Sequence, residues 1–160
     1  MGTSYVRRSG YDVTGLDGIN LSDKWAEGMR TLHGVMTSGF PNLFIISNSQ
    51  AGFTTNFPHA MDETSQHIGY ILNECRKHNL DSIDVEKEAE DKWVEEIIGV
   101  SRFASDFQES CTPGYYNNEG KPNPKSVQNG PYGKGSRPYF RITAAWLSLI
   151  HISEPTRRYN

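Results

Sequence analysis

The residues with the most chemical capacity fall in one loop, Ser47 to Phe57, which reads SNSQAGFTTNF. Ser49, Gln50, Thr54, Thr55 and Asn56 supply hydrogen-bonding groups, and Gly52 lets a ligand approach the backbone. Phe53 and Phe57 are interleaved among them and read more readily as core residues than as ring-stackers. This set can bind and orient a ligand, but it contains no acid–base or nucleophile pair. Ahead of it, Leu43-Phe44-Ile45-Ile46 is a short unbroken apolar run, which suits a strand buried on both faces of a parallel sheet. Behind it, Pro58 stands at a first helical position with Asp62 and Glu63 in the opening turn. Ligands of open α/β sheets sit past the end of such a strand, against the start of the next helix. The candidate site is therefore the junction between strand and helix.

Other motifs are absent or have simpler readings. No Gly-x-Gly-x-x-Gly follows a strand, and no Gly-Lys-Ser/Thr phosphate loop is present. Gly130, Gly133 and Gly135 surround Pro131 and read as turn glycines. The five histidines show no metal-ligand spacing, and His67 on the expected helix reads as structural or surface-exposed. No serine stands in a nucleophile elbow. Asn20-Leu21-Ser22 is a chance glycosylation triplet without a secretory signal. The residues alone describe a ligand-binding α/β piece without catalytic machinery of its own.

The elements that must position the loop follow from periodicity and turn chemistry. Tyr11 and Val13 before Asp17-Gly18, with Ile19 and Leu21 after it, predict a short hairpin-like excursion. Ser22 is expected to cap a helical turn anchored by Trp25, and Thr31 to Met36 to form a strand. Ile68, Ile71, Leu72 and Cys75 mark the apolar face of the helix after Pro58, which Arg76, Lys77 and His78 close with positive charge. A second helix is expected from a cap at Asp84 to about Phe107, with Ala89, Trp93, Val94, Ile97 and Ile98 inward. The charges from Glu86 to Lys92 read as its solvated face. Residues 112–138 are rich in Gly, Pro and Asn, and their tyrosines point to an ordered loop over a surface or ligand. Leu147 to Asn160 resembles a translated sequencing adapter and is set apart as a non-native tail.

Composition bounds the rest. A chain of 160 residues suffices for one domain, and three Trp, eight Tyr and seven Phe are too many for a disordered one. Net charge is −3 with no basic stripe, so nucleic acid has no electrostatic footprint. No segment approaches the roughly 18 apolar residues of a membrane span. Cys75 and Cys111 stand apart without metal or redox spacing and read as reduced thiols of a cytoplasmic protein.

GFPNLFII, with RTLHGVMTSG before it and NFPHAMDETSQHI after it, resembles the C-terminal part of Baeyer–Villiger monooxygenases. RRSGYDVTG, LSDKWAEGMRTLHG, EDKWVEEII, CTPGYYNNEGKP and QNGPYG extend the resemblance over Gly2 to Trp146, nearest to members acting on cyclic or bulky ketones. These flavoproteins use FAD, NADPH and O2 to insert oxygen beside a ketone carbonyl, giving an ester or lactone. The resemblance implies an α/β fold, here the C-terminal part of a flavoprotein with two Rossmann-like dinucleotide-binding domains, truncated and carrying a long irregular loop. Residues 1–146 would complete the FAD domain, and 147–160 would be the foreign tail. The nucleotide fingerprints and the catalytic arginine would lie in missing upstream sequence, with Met1 an internal or truncated start.

The resemblance also assigns residues. Asn48, Ser49, Gln50, Asn56 and Phe57 would contact FAD, and Gly52, Phe53, Thr54 and Thr55 would line the ketone pocket. Thr112 to Lys125 would be the control loop over NADP, with Thr112, Tyr115, Tyr116 and Asn117 as its contacts. Thr112 stands where many members carry Trp, so Tyr115 or Tyr116 would be the aromatic cover. No catalytic residue and no metal would belong to this piece, no membrane or nucleic acid would be a partner, and the isolated piece would be inactive. An exposed sheet edge would make it aggregation-prone. Two other readings stand beside this one: an amine-hydroxylating flavin monooxygenase, and a non-catalytic ligand-binding module.

Overall fold

The computed structural model describes residues 9–101 and 124–149. Their elements are α1 (Leu21–Lys24), α2 (Phe57–Lys77), α3 (Lys87–Gly99) and α4 (Ser136–Leu149), with 3-10 turns at Leu16–Gly18 and Pro124–Asn129. Among the described residues there is no strand, only the isolated bridges Thr14–Asn20 and Leu32–Met36. The first bridge, closed by Leu21 N–H to Val13 O at 2.8 Å, is the expected hairpin-like excursion.

Two expected strands differ from what forms. Leu43 to Ile46 forms no regular element; its Ile45 N–H meets Val35 O at 2.7 Å, but no ladder flanks it. Ile46 is left half exposed. A strand buried on both faces needs a paired neighbour on each side, and the described residues supply none. No exposed sheet edge is present among them either. Residues 31–36 fold into a tight turn instead, because His33 and Gly34 both have positive φ and Val35 N–H bonds Leu32 O at 3.1 Å.

Helix α2 is the best-specified element. Asn56 Oδ1 accepts from the His59 N–H at its start, and Pro58 costs no bond there. Because the helix begins at Phe57, Asp62 and Glu63 lie in the second turn, and the first turn has no acidic side chain. At the far end Asn79 takes a left-handed conformation (φ 51°). Leu80 N–H then bonds Cys75 O at 2.9 Å and Asn79 N–H bonds Arg76 O at 3.2 Å, satisfying the last carbonyls. The buried stripe is Ala60, Thr64, His67, Ile71 and Cys75, whereas Leu72, expected inside, is exposed. The stripe is set by α4, which packs along this face.

Helix α3 ends at Gly99, short of Phe107, which lies outside the described residues. Neither expected cap holds. Ser22 lies inside α1 and bonds Asp12, while Asp84 accepts from Gly39 N–H (2.9 Å) and Val85 N–H (2.7 Å). Trp93, Val94 and Ile97 are buried as expected, but Ile98 is half exposed. So is the inference of a solvated charged face corrected: Glu88 and Asp91 make surface pairs with Lys92 and Lys87, yet Glu90 is 1% exposed. Position 90 precedes Trp93, Val94 and Ile97 by three, four and seven residues, so it shares their face. Its Oε1 accepts from Lys24 Nζ (2.9 Å), Thr37 Oγ1 (2.8 Å) and Ser38 N–H (3.0 Å), and its Oε2 from Ser38 Oγ (3.1 Å).

The core has two clusters. Val35, Met36, Ile71, Cys75 and Val85 form the first, and Ala51, Trp93, Ile97, Tyr132 and Tyr139 the second. Between them His33 packs edge-on to Trp93 (4.7 Å) and Trp146 (5.3 Å), and His67 packs on Trp146 (5.3 Å). Burial, with a smaller push from His67, lowers the His33 pKa to about 3, and burial lowers that of His67 to about 4. Helix α4 continues through the boundary expected at Trp146, and Leu147 packs against the first cluster. The rest of the expected tail, from residue 150, lies outside the described residues.

Two outcomes follow. Glu90→Ala strands the Lys24 ammonium among buried groups and should cost about 3–5 kcal/mol in denaturant unfolding. The two histidines ionise near 6.5 when unfolded and only well below that when folded. Falling pH therefore loads the unfolded state first. Stability should be flat in these groups above about pH 7 and drop by about 1.4 kcal/mol per pH unit for each histidine below about 6.5. Denaturation midpoints between pH 7.5 and 5 check this, and His67→Phe should remove one histidine's share of the slope.

Candidate functional site

The loop Ser47–Phe57 divides into an inward and an outward half. Ser47 Oγ accepts from Ser49 N–H at 3.2 Å, a local turn that sends the chain inward. Ser49, Gln50, Ala51 and Gly52 are then buried. Asn48 is half-buried, and its Oδ1 is a buried atom without a hydrogen-bond partner among the described residues. Gln50 is fully buried, and all four of its side-chain bonding positions are taken. Its Oε1 accepts from Thr31 N–H (3.0 Å) and Thr31 Oγ1 (2.5 Å), and its Nε2 donates to Met29 O (2.5 Å) and Gln128 O (2.8 Å).

Close packing fixes the rest of the inward half. A Cβ at Gly52 would come within 2.5 Å of Tyr139 Cδ1, so this glycine is required by the approach of Tyr139. The Tyr139 hydroxyl donates to His33 O at 2.6 Å and is held well above its usual range by burial. A Cβ at Gly34 would likewise meet Ser49 O at 2.8 Å, so the His33-Gly34 turn lies directly on the loop.

The outward half wraps the start of α2. Thr54 Oγ1 accepts from Asn56 N–H at 3.2 Å, turning the chain into the helix. Phe53 is 52% and Phe57 47% exposed, and Thr55 and Asn56 are exposed beside them. Asn56 takes the His59 N–H and Pro58 has none, which leaves the Phe57 N–H as the first-turn donor for a ligand. Two apolar rings next to the positive end of a helix, with no acidic side chain in its first turn, suit a flat ligand that carries negative charge on one edge.

The expected loop residues differ in burial. Asn56, Phe57, Phe53, Thr54 and Thr55 lie at the rim, Asn48 and Ser49 behind it, and Gln50 and Gly52 inside the fold. Thr112, Tyr115, Tyr116 and Asn117 lie outside the described residues, as does Cys111. Sequence reasoning missed the partners that hold the loop: Met29, Thr31, Gln128 and Asn129. Asn129 Oδ1 accepts from Met29 N–H at 2.6 Å, and Gly130 O accepts from Gln50 N–H at 2.7 Å. Nothing in the local pattern of QNG announces those roles, since they depend on a segment some 80 residues from Gln50 in sequence. No cluster of three or more potential metal ligands occurs among the described residues, and no helix there is long and apolar enough to cross a membrane.

The chain is 42% identical over 153 residues, 96% of its length, to neopentalenolactone D synthase of Streptomyces avermitilis. It is 36% identical over 138 residues to Baeyer–Villiger monooxygenase peniC of Penicillium patulum, covering 84% of this chain. The chain matches a segment of the Baeyer–Villiger monooxygenases. It spans about a quarter of the length of these two relatives, 26% of the first and 22% of the second. The fold agrees with the polycyclic ketone monooxygenase of Thermothelomyces thermophila, with a TM-score of 0.79, 33% identity, and coverage of 91% of this chain and 24% of that one. A steroid monooxygenase structure bound to NADP shares the fold at a TM-score of 0.68 and 21% identity, over 86% of this chain and 24% of its own. No family model matches. The fold expectation thus holds at the level of these flavoprotein monooxygenases.

Gly52→Ala tests the packing behind the rim. The added methyl must displace Tyr139 from His33, and unfolding free energy should fall by about 1–3 kcal/mol. Gly69→Ala, in open space on α2, is the control that should not destabilise.

Proposed function

We propose that this chain is the C-terminal part of an FAD- and NADPH-dependent Baeyer–Villiger monooxygenase that converts ketones to esters or lactones. In this reading residues 1–146 complete the α/β FAD domain, and the Leu43–Ile46 run pairs with strands supplied by the remainder of the enzyme. The observation that carries it is the similarity to such monooxygenases along nearly the whole chain, with the candidate loop inside the matched stretch.

The residues at the loop fit a flavin. The Phe53 and Phe57 rings offer apolar faces, and the Phe57 N–H and the α2 positive end suit the electron-rich N1–C2 edge of a reduced isoalloxazine. Asn48 Oδ1, buried and without a partner among the described residues, is an acceptor still unused in the same loop. FAD, reduced by NADPH, would activate O2 for insertion beside the ketone carbonyl. The chain's own part is to orient the ring, to shape the ketone pocket with Gly52, Phe53, Thr54 and Thr55, and to exclude water around them. Thr112, Tyr115, Tyr116 and Asn117 would cover the NADP side. Catalytic charge stabilisation would come from an arginine outside this chain.

Expression of the longer reading frame tests the activity: ketone-dependent NADPH oxidation with an ester or lactone product is expected, and its absence would sink the proposal. The 160-residue chain alone should neither hold FAD nor oxidise a ketone. A yellow one-to-one flavin complex of the isolated chain would show that it is no partial site.

A further inference from the structure

We propose that Gln50 is a positioning residue that sets the flavin- and ketone-facing loop without touching either ligand, an inference that rests on the monooxygenase reading above. Gln50 is fully buried and sits at φ 57°, a left-handed conformation that a residue with a Cβ takes only when its surroundings enforce it. What enforces it is a complete set of bonds. The carboxamide gives two bonds to carbonyls, of Met29 and Gln128, and accepts two from Thr31. The backbone adds two more, since its N–H donates to Gly130 O (2.7 Å) and its carbonyl accepts from the Trp93 indole at 3.2 Å.

Gln50 thereby joins residues 29–31, helix α3 and the segment 128–130 at one point. No polar atom is left over for a ligand. The residues it holds are its neighbours in the chain: Asn48 and Ser49 on one side, Gly52 and the Phe53–Asn56 rim on the other.

The choice of side chain is narrow. Two donors and two acceptors at this reach are the property of glutamine alone. Glutamate would keep the Thr31 bonds but set a carboxylate against the Met29 and Gln128 carbonyls. Methionine would keep the volume and lose all four bonds. A shift of about 1 Å in a loop that orients reactants can cost on the order of 100-fold in rate. The loss appears as uncoupling: electrons from NADPH reduce O2 to hydrogen peroxide when the ketone is not held to receive the oxygen.

The test uses the full-length flavin-loaded enzyme with Gln50→Glu, Gln50→Met and Thr31→Val. Thr31→Val removes the hydroxyl's bond to Gln50 Oε1 and its acceptance from the Gly34 N–H (3.0 Å) but keeps the Thr31 N–H bond and all of Gln50, so it is the smaller change. Ester or lactone formed per NADPH consumed should fall roughly 10- to 100-fold for the Gln50 variants and about 3- to 10-fold for Thr31→Val. The KM for NADPH should stay within about 2-fold, and the flavin absorption band should shift. A residue that only stabilises the fold would lower the melting temperature and leave coupling and spectrum unchanged. That result in Thr31→Val and any folded Gln50 variant, with an active wild type, would overturn this inference alone. A wild-type enzyme without ketone oxygenation would overturn the functional reading, and this assignment with it.

Discussion

The carboxamide of Gln50 and the carboxylate of Glu90 do for residues 29–40 and 48–52 what a strand ladder does in a sheet. Buried backbone amides and carbonyls need partners, and no ladder supplies them among the described residues. Glu90 accepts from the Ser38 amide, and Gln50 serves the Thr31 amide and the Met29 and Gln128 carbonyls. Asn129 takes the Met29 amide and Tyr139 the His33 carbonyl. Each bond crosses between separate parts of the chain, so the irregular segments are tied to the helices and to one another.

Charge makes one of these nodes costly. Glu90 is tolerated at 1% exposure because Lys24, Thr37 and Ser38 meet both of its oxygens, and Arg30 approaches at 3.9 Å. Lys24 shares the cost, its ammonium pulled down chiefly by burial and held up in part by Glu90. The pair joins α1 and the 37–39 turn to α3. Next to it, the stack of Trp93 on Tyr132 (5.4 Å, 14°) carries the segment 128–135 onto the same helix, and Glu96 ties it down through Tyr132 and Lys134.

The candidate site inherits its shape from this framework. Its inward half has little freedom, since Gln50 is saturated and Gly52 and Gly34 admit no side chain. The outward half presents Phe53 and Phe57, each about half exposed, at the start of α2.

Local sequence determined what short-range physics controls. The hairpin-like turn at Asp17-Gly18, the start of α2 at Asn56-Phe57-Pro58 and the burial of Trp93, Val94 and Ile97 were all legible, because caps, turns and 3.6-residue periodicity act within a few positions. The similarity to Baeyer–Villiger monooxygenases was legible too, through motifs spread from Gly2 to Trp146. Tertiary structure decided the rest. Whether Leu43–Ile46 becomes a strand depends on neighbours for it to pair with, and Leu72 faces outward because α4 packs on a different stripe of α2. Glu90 and Gln50 are polar by type, and only partners far away in the chain, Lys24 for one and Met29, Thr31 and Gln128 for the other, turn them from surface or ligand groups into the supports of the fold. A side chain's bonding capacity is written in the sequence; which atoms satisfy it is settled only when the chain closes on itself.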